Sequence, residues 1–213
     1  MQEIFEQLTW ESLLIPRPIY TIGYGGRAVE QFLELLRYYK IQYLIDIRSQ
    51  PHSRVQPQFS KDALDKFLKE QHINYVFMGD TLGGRPSDDT CYVDGKVDYT
   101  KVRERAFYQH GIHRIHTAWE KQFVVALMCA EMKPQECHRS KLIGNTLHDK
   151  QIEVAHIDEQ GILKTQEEVI NLLMKDQPSL FDQQQTSVGL RERMNFSRKK
   201  YPFQRGKAAW TKL

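Results

Sequence analysis

Residues 122–139 read QFVVALMCAEMKPQECHR, and they join the most strand-like run of the chain to a loop dense in reactive side chains. The run from Gln122 to Met128 is almost continuously apolar, as expected of a parallel strand that is covered on both faces. Two of the three cysteines of the chain, a histidine and an arginine follow between Cys129 and Arg139. We therefore expect this strand near the centre of a sheet, with a site at its carboxyl end.

Strand-like and helical patterns alternate on both sides of this run. Strands are predicted at residues 19–22, 43–47, 73–78, 122–128 and 152–157, and amphipathic helices are predicted between them. This alternation predicts an α/β fold, a single domain with a largely parallel sheet flanked by helices. We assign an N-terminal extension to residues 1–18, the core domain to residues 19–176 and a basic tail to residues 177–213.

Three local predictions concern the connections and the helix ends. The helical pattern from Tyr99 to about Trp119 is predicted to break at Gly111. Residues 87–99 are polar and are predicted to form a solvated excursion from the core. Thr165 and Glu168 have the spacing of a capping box, which predicts the start of the last helix.

The composition is that of a soluble globular protein. The chain has 213 residues, of which 40% are hydrophobic and 27% charged, enough for one substantial core. No apolar run approaches the roughly 20 residues that span a bilayer, and Glu3, Glu6 and Glu11 interrupt any signal-peptide pattern. Three cysteines, an odd number, do not make a disulfide framework. We expect a cytoplasmic protein with reduced thiols and no membrane partner.

Positive charge is concentrated at the C-terminal end. Residues 186–213 contain eight basic residues and one acidic residue, so their charge of +7 leaves −4 for residues 1–185 of a chain whose net charge is +3. Cations interleaved with aromatic residues grip phosphate and stack on bases. The predicted nucleic-acid-binding residues, for DNA or RNA, are Arg198, Lys199, Lys200, Arg205 and Lys207. A basic tail that is merely solvated is the alternative.

A short peptide in the same tail suggests a protein partner. The sequence from Gln177 to Phe181, Gln-Pro-Ser-Leu-Phe, resembles the peptide with which bacterial DNA-processing proteins engage the sliding clamp. An extended segment with two apolar anchors, here Leu180 and Phe181, can dock into a preformed pocket. The alternative is a tail that packs these two side chains on its own core.

The loops that follow four predicted strands should converge, because ligands of parallel sheets bind outside the carboxyl ends of the strands. Several of these loops carry arginine, whose guanidinium group matches phosphate or carboxylate. The predicted substrate-binding residues are Tyr24, Arg27, Arg48, Ser53, Arg54, Gly83, Gly84, Arg85, Cys129, His138 and Arg139. The sequence therefore predicts an arginine-rich pocket for an anionic, phosphate-containing ligand.

Two carboxylates are candidate catalytic groups. Asp46 lies near the carboxyl end of a buried strand, where a carboxylate is costly unless it is paired. A structural ion pair with Arg48 or Arg54 is therefore the alternative to a catalytic acid. Glu131 is the stronger candidate for a general acid or base, because a partly desolvated carboxylate near arginines can be held in either protonation state.

Cys137 is the third candidate catalytic group. Pro134 suits the first turn of a helix, so Cys137 is predicted near a positive helix end, where a thiolate is stabilised. A small buried thiol that only packs is the alternative. A zinc site made by Cys129, Cys137 and His138 is disfavoured, because the spacing is not Cys-x-x-Cys and adjacent side chains point apart on a helix. We therefore predict no metal and assign no cofactor.

Four motifs occur in order along the core. They are Thr21-Ile22-Gly23-Tyr24, Asp46-Ile47-Arg48-Ser49-x-Pro51-x-Ser53-Arg54, Leu82-Gly83-Gly84-Arg85, and Cys129-Ala130-Glu131 with Cys137-His138-Arg139. This set, over about residues 19–157, resembles the domain of unknown function family numbered 488. The resemblance implies an α/β fold and a shared arginine-rich pocket. It implies no reaction, because the name of the family records that none is established.

Two functions from different classes fit these observations. The first is an enzyme that acts on nucleic acid or on a phosphorylated, nucleotide-like substrate. The second is a non-catalytic module that binds nucleic acid or a sliding clamp through its tail. The sequence alone leaves open which of them applies, and a metal-dependent hydrolase is a third hypothesis.

Overall fold

A six-stranded sheet forms the centre of the computed structural model, which describes residues 17–175. The strands are β1 (Ile19–Gly23), β2 (Tyr43–Asp46), β3 (Asn74–Phe77), β4 (Tyr92–Val93), β5 (Lys96–Val97), β6 (Val125–Cys129), β7 (Val154–Ile157) and β8 (Leu163–Thr165). The sheet order is β3-β2-β6-β1-β7-β8, and all neighbours are parallel except β7 and β8. Strands β4 and β5 form a separate antiparallel hairpin.

Helices cover both faces of this sheet. They are α1 (Val29–Tyr38), α2 (Lys61–Glu70), α3 (Gly79–Leu82), α4 (Tyr99–Arg103), α5 (Ala106–Glu120), α6 (Asn145–Asp149) and α7 (Gln166–Lys175), and a π-helical segment, Arg139–Gly144, runs directly into α6. Phe32 of α1 and Leu64 of α2 pack in one apolar core, while Ile112 of α5 and Leu147 of α6 pack in the other. The predicted α/β fold with a largely parallel sheet is confirmed.

Strand β6 lies between β1 and β2, and all five of its residues are buried. Val125 and Leu127 point into the core on the α5 side, and Ala126 and Met128 point into the core on the α1 side. Because successive side chains of a strand alternate between faces, only a continuous apolar run can serve both cores. The prediction of a central strand is confirmed for this reason.

Neighbouring strands end at the same level of the sheet. Gly23 of β1 is in register with Cys129 of β6, and Asp46 of β2 is in register with Met128. The loops that leave these strands therefore begin side by side at one edge. This edge is where the candidate site lies.

The predicted helix break at Gly111 was wrong. The break falls at residues 104–105, between α4 and α5, and Gly111 lies inside α5. A β-carbon at Gly111 would be 2.8 Å from Leu82 Cδ2, so glycine serves a close approach between α5 and α3 and does not end the helix.

The predicted excursion at residues 87–99 contains the β4–β5 hairpin. Strand β8 was missed because its three residues, Leu-Lys-Thr, are too few to show a pattern.

The capping box at the start of α7 is confirmed. The backbone N–H of Glu168 donates to Thr165 Oγ1 at 3.1 Å, and the backbone N–H of Thr165 donates to Glu168 Oε2 at 3.0 Å.

Between residues 17 and 175, every helix falls short of the length and apolar character that crossing a bilayer requires.

Candidate functional site

The loops after β1, β2, β3 and β6 meet through direct backbone contact. A β-carbon at Gly23 would be 1.9 Å from the carbonyl oxygen of Glu131, and one at Gly79 would be 1.9 Å from the carbonyl oxygen of Arg48. The backbone N–H of Gly25 donates to the carbonyl of Ala130 at 2.9 Å. Glycine is required at such approaches because any side chain would collide. The glycine turn after β1 thus holds the neighbouring loop, and its amides are used within the protein.

A cluster of four polar side chains lies at the end of β6; we call Cys129, Glu131, Cys137 and His138 the thiol cluster. One ligand-type atom from each residue lies within 4.8 Å of the others. Glu131 Oε2 is 2.7 Å from the Sγ of Cys129 and 3.1 Å from the Sγ of Cys137. His138 Nδ1 is 3.7 Å and 3.6 Å from the same two sulfur atoms. Both thiols are buried, His138 is 9% exposed, and Glu131 is exposed.

The backbone at Cys137 explains how two adjacent side chains reach one point. Cys137 is extended, with φ −112° and ψ 149°, whereas His138 has helical angles of −61° and −20°. The helix therefore begins after Cys137, and the expectation that the two side chains share a helix and point apart was wrong. The backbone N–H of Arg139 donates to Cys137 Sγ at 3.4 Å, as at a helix N-cap. Pro134, predicted in a first helical turn, begins the separate 3₁₀ turn Pro134–Glu136.

His138 is oriented by the loops of two other strands. Its Nε2 lies 3.2 Å from the carbonyl oxygen of Ile47, which directly follows β2, so this nitrogen is the donor. Its Nδ1 then faces the two sulfur atoms. Gly84, after β3, lies against the ring, since a β-carbon there would be 2.8 Å from His138 Nδ1.

The groups of the thiol cluster shift one another's ionisation. Burial opposes ionisation of Cys137, but hydrogen bonding with Cys129 and His138 and the nearby positive charges outweigh it and lower the pKa of Cys137. Hydrogen bonding with Cys137, followed by burial, raises the pKa of Cys129. Burial acts against the charged forms of Glu131 and His138 as well. Hydrogen bonds from both thiols nevertheless lower the pKa of Glu131, and contact with Cys137 raises the pKa of His138. The protonation states of the four groups are therefore coupled to one another.

Tyr99 was missed by the sequence analysis. It is half-buried at the start of α4 and packs against the apolar core that contains Cys129 and Cys137. Burial, followed by the negative charges of Cys137, Glu131 and Cys129, raises the pKa of Tyr99. Asp98 fixes this helix start by accepting the backbone N–H of Thr100 at 2.9 Å. The local sequence, Asp-Tyr-Thr, indicates the start of a helix, but it does not indicate that Tyr99 lies near the thiol cluster.

Asp46 forms the structural ion pair that the sequence left open. Its carboxylate accepts Arg48 Nε at 2.9 Å, Arg48 Nη2 at 2.5 Å and the hydroxyl of Tyr75 at 2.6 Å. Asp46 is fully buried, and Arg48 is 5% exposed. Arg48 also lies over the ring of Tyr24, 5.0 Å from its centroid, and donates to the carbonyl of Phe59.

Two further arginines of the predicted pocket bind backbone oxygens. Buried Arg139 donates to the carbonyls of Glu131 and Met132. Arg27, 6% exposed, donates to the carbonyls of Gly23 and Asp158. The buried guanidinium groups of Arg27 and Arg139 therefore connect neighbouring loops through hydrogen bonds to backbone carbonyls.

The remaining predicted binding residues lie on the loops after β2 and β3. Ser53 is buried, and its Oγ accepts the backbone N–H of Gln56 at 3.1 Å. Gly83 packs tightly against Ser49, whose Oγ would lie 2.5 Å from a β-carbon at Gly83. Arg54 and Arg85 are exposed. These two arginines are the members of the set with side chains in solvent.

Several predictions concern residues that lie outside the described part of the chain. These are the five basic residues Arg198, Lys199, Lys200, Arg205 and Lys207, the clamp-like peptide from Gln177 to Phe181 and nearly all of the N-terminal extension. They remain predictions from the sequence.

Comparison with known proteins gives one match. No curated protein and no solved structure matches the chain. A family model matches residues 28–145, which include the loops after β2 and β3 and the whole thiol cluster. This match covers more than half of the chain. The chain therefore belongs to the family described as Domain of unknown function DUF488.

Proposed function

We propose that this protein is an enzyme whose reaction takes place at the thiol cluster, and that its substrate is a nucleic acid or a phosphorylated, nucleotide-like molecule. The observation that carries the proposal is the convergence of four reactive polar groups within 4.8 Å at the carboxyl edge of the parallel sheet. Burying the two thiols and the imidazole costs stability unless hydrogen bonds compensate, so their convergence favours a role beyond packing. Clusters of coupled titratable groups are typical of active sites.

Glu131 is the general acid or base of this proposal. Its Oε2 contacts both thiols, yet the residue is exposed to solvent. It can therefore exchange a proton with a bound substrate and with water. Asp46 is not given this role, because its carboxylate is fully buried and already accepts hydrogen bonds from Arg48 and Tyr75.

The exposed arginines support a phosphate-bearing substrate. Arg85 directly follows Gly84, which packs on the ring of His138, so its side chain starts beside the cluster. Arg54 lies on the loop after β2, the loop that also supplies the carbonyl of Ile47 to the site. The charge of +7 on residues 186–213 favours a polyanion such as DNA or RNA.

The three free thiols of Cys91, Cys129 and Cys137 suit the reducing cytoplasm.

Turnover by the full-length protein tests the proposal. Single-stranded and double-stranded DNA, RNA and free nucleotides would be incubated with it, and the products separated by mass. Glu131→Gln should lower kcat by about 100-fold or more on the active substrate, because it removes the acid or base. Glu136→Gln is the matched control; Glu136 is exposed, lies on the same loop and pairs with Lys133 at 3.3 Å, so its loss should leave kcat unchanged.

The same panel separates the enzyme from a binding module. Deletion of residues 186–213 should weaken retention on DNA in a salt-dependent way if the tail supplies the contact. If the protein is an enzyme, the deletion variant should still turn over substrate at the thiol cluster, with a higher KM for long nucleic acids. Binding that needs only the tail, with no turnover of any substrate by the unmodified protein, would contradict the enzyme and leave the binding module.

A further inference from the structure

We propose that Cys129, Cys137 and His138 bind a divalent zinc-class metal ion, with Glu131 beside the remaining coordination position. Among residues 17–175, the thiol cluster is the single group of three or more Cys, His, Asp or Glu residues placed to share an ion. The inference goes beyond the proposed function, because it concerns what the cluster binds and stands on geometry alone. Two thiolates and an imidazole are soft ligands that favour zinc over magnesium or calcium.

The distances between the ligand atoms match a tetrahedral zinc site. With zinc bound at about 2.3 Å to sulfur and about 2.05 Å to nitrogen, a tetrahedral angle puts these two atoms about 3.6 Å apart. His138 Nδ1 lies 3.6 Å from one sulfur atom and 3.7 Å from the other. The two distances are nearly equal, as an ion shared by both sulfur atoms requires.

The partner of His138 on its far side is the one that metal-bound histidines have. A ligating imidazole almost always donates its other ring N–H to a carbonyl or carboxylate, which fixes the tautomer and the ring orientation. His138 Nε2 lies 3.2 Å from the carbonyl oxygen of Ile47, so in the neutral imidazole, the form that binds a metal, the lone pair of Nδ1 is directed at the sulfur atoms. Gly84 lies against the ring, where a β-carbon would be 2.8 Å from Nδ1.

The loop that carries the ligands is held at both ends. Arg139 bonds the carbonyls of Glu131 and Met132, and its own backbone N–H donates to Cys137 Sγ. The first ligand is fixed by β6, where Cys129 pairs with Gly23. Such preorganisation by neighbouring groups is what a metal site needs to keep its geometry.

Glu131 marks the open side of this site. Its Oε2 is 2.7 Å and 3.1 Å from the two sulfur atoms, closer than the about 3.5 Å expected between ligands of one tetrahedral ion. The carboxylate therefore does not match a fourth ligand, and because Glu131 is the exposed member of the cluster, the proposal leaves the coordination position on its side open. Three protein ligands with one open position are the arrangement of catalytic zinc, which supplies a Lewis acid, and Glu131 is placed to take up a proton there.

Metal content tests the inference without any activity assay. The full-length protein would be purified from zinc-supplemented cells under reducing conditions, and zinc would be measured by mass spectrometry. We expect about one zinc ion per chain, because all three protein ligands come from the same chain. Cys129→Ser and Cys137→Ser, which conserve side-chain size, should lower zinc affinity by more than about 100-fold, beyond the loss seen for outer-shell partners. Cys91→Ser, at a buried thiol outside the cluster, is the control and should keep the zinc.

Cobalt gives a second measurement that needs no variant. Added Co²⁺ should produce a thiolate-to-cobalt charge-transfer absorption in the reduced unmodified protein, and zinc should abolish it. Unmodified protein that takes up neither metal would overturn the inference, and so would equal zinc in unmodified protein and Cys137→Ser, since the metal would then be bound elsewhere. Zinc at the cluster without turnover would defeat only the proposed function, while turnover by protein that binds no metal would defeat only this inference.

Discussion

Lowering the pH should destabilise the protein through His156, a fully buried residue of β7. Gln166 Nε2 donates to the carbonyl of Ser140 at 3.1 Å, so its Oε1 accepts from His156 Nε2 at 2.6 Å. His156 Nδ1 then accepts the hydroxyl of Thr21 at 2.7 Å. This network suits the neutral imidazole. Burial lowers the pKa of His156 to about 4; the hydrogen bond to Gln166 opposes this effect, and the charge of Arg139 adds to it.

The size and the sign of the effect follow from proton linkage. In the unfolded chain His156 titrates near the ordinary histidine pKa of 6.5, and in the folded chain its pKa is about 4. Above pH 6.5 both states are neutral, so the full stability is present there. Between these values the unfolded state alone binds the proton, and the free energy of unfolding falls by up to about 1.4 kcal/mol per pH unit. The total loss from His156 by pH 4 is about 3 kcal/mol.

Urea denaturation between pH 7.5 and pH 4, followed by circular dichroism, measures this loss. Between pH 7.5 and pH 4 the unmodified protein should lose about 3 kcal/mol more unfolding free energy than His156→Gln, because glutamine carries no titrating group. His113→Gln, at an exposed position of α5, controls for the loss of a histidine. If the unmodified protein and His156→Gln keep the same difference in stability at every pH, the reasoning is refuted.

Two other substitutions test the packing around the site. Gly23→Ala should destabilise the fold by about 2 kcal/mol or more and disturb the thiol cluster, because its β-carbon would lie 1.9 Å from the carbonyl oxygen of Glu131. Thermal denaturation measures this effect. An unchanged thermal midpoint would show that the loops after β1 and β6 are not in contact. Tyr75→Phe removes the hydroxyl that donates to Asp46 Oδ2 at 2.6 Å and should cost about 1.5–3 kcal/mol in urea denaturation. An unchanged urea midpoint for Tyr75→Phe would mean that Arg48 alone satisfies the carboxylate.

The architecture followed from hydrophobic patterning. The continuous apolar run of β6 indicated a strand covered on both faces, and Val125 and Ala126 do point into opposite cores. Patterning could not show β8, whose three residues gain their strand geometry from pairing with β7. It also could not show that Gly111 serves a close approach to Leu82, because that contact joins distant parts of the chain.

The candidate site followed from the sequence less completely. The order of strands and loops was enough to bring Cys129, Glu131 and Cys137 to one edge. The common direction of Cys137 and His138 depends on the extended backbone of one residue, which periodicity does not report. Tyr99 reaches the cluster through tertiary packing alone.

The arginines illustrate a more general limit. A guanidinium group can bind a ligand phosphate or a backbone carbonyl, and backbone carbonyls leave no mark in a sequence. Arg27, Arg48 and Arg139 all bind oxygens of the protein itself. Counting arginines near a predicted site therefore overstates the charge that is offered to a ligand.

The grip of Arg139 on two successive carbonyls has a mechanical consequence. These bonds close a short ring of chain from Glu131 round to Arg139, and the 3₁₀ turn Pro134–Glu136 lies within that ring. The carbonyl of buried Pro134 accepts the backbone N–H of Cys137 at 3.1 Å and the hydroxyl of Ser140 at 2.7 Å, so the turn is tied to the segment that carries Cys137 and His138. A change at Pro134 would therefore reach the spacing of the four side chains, although that residue contacts none of their reactive atoms.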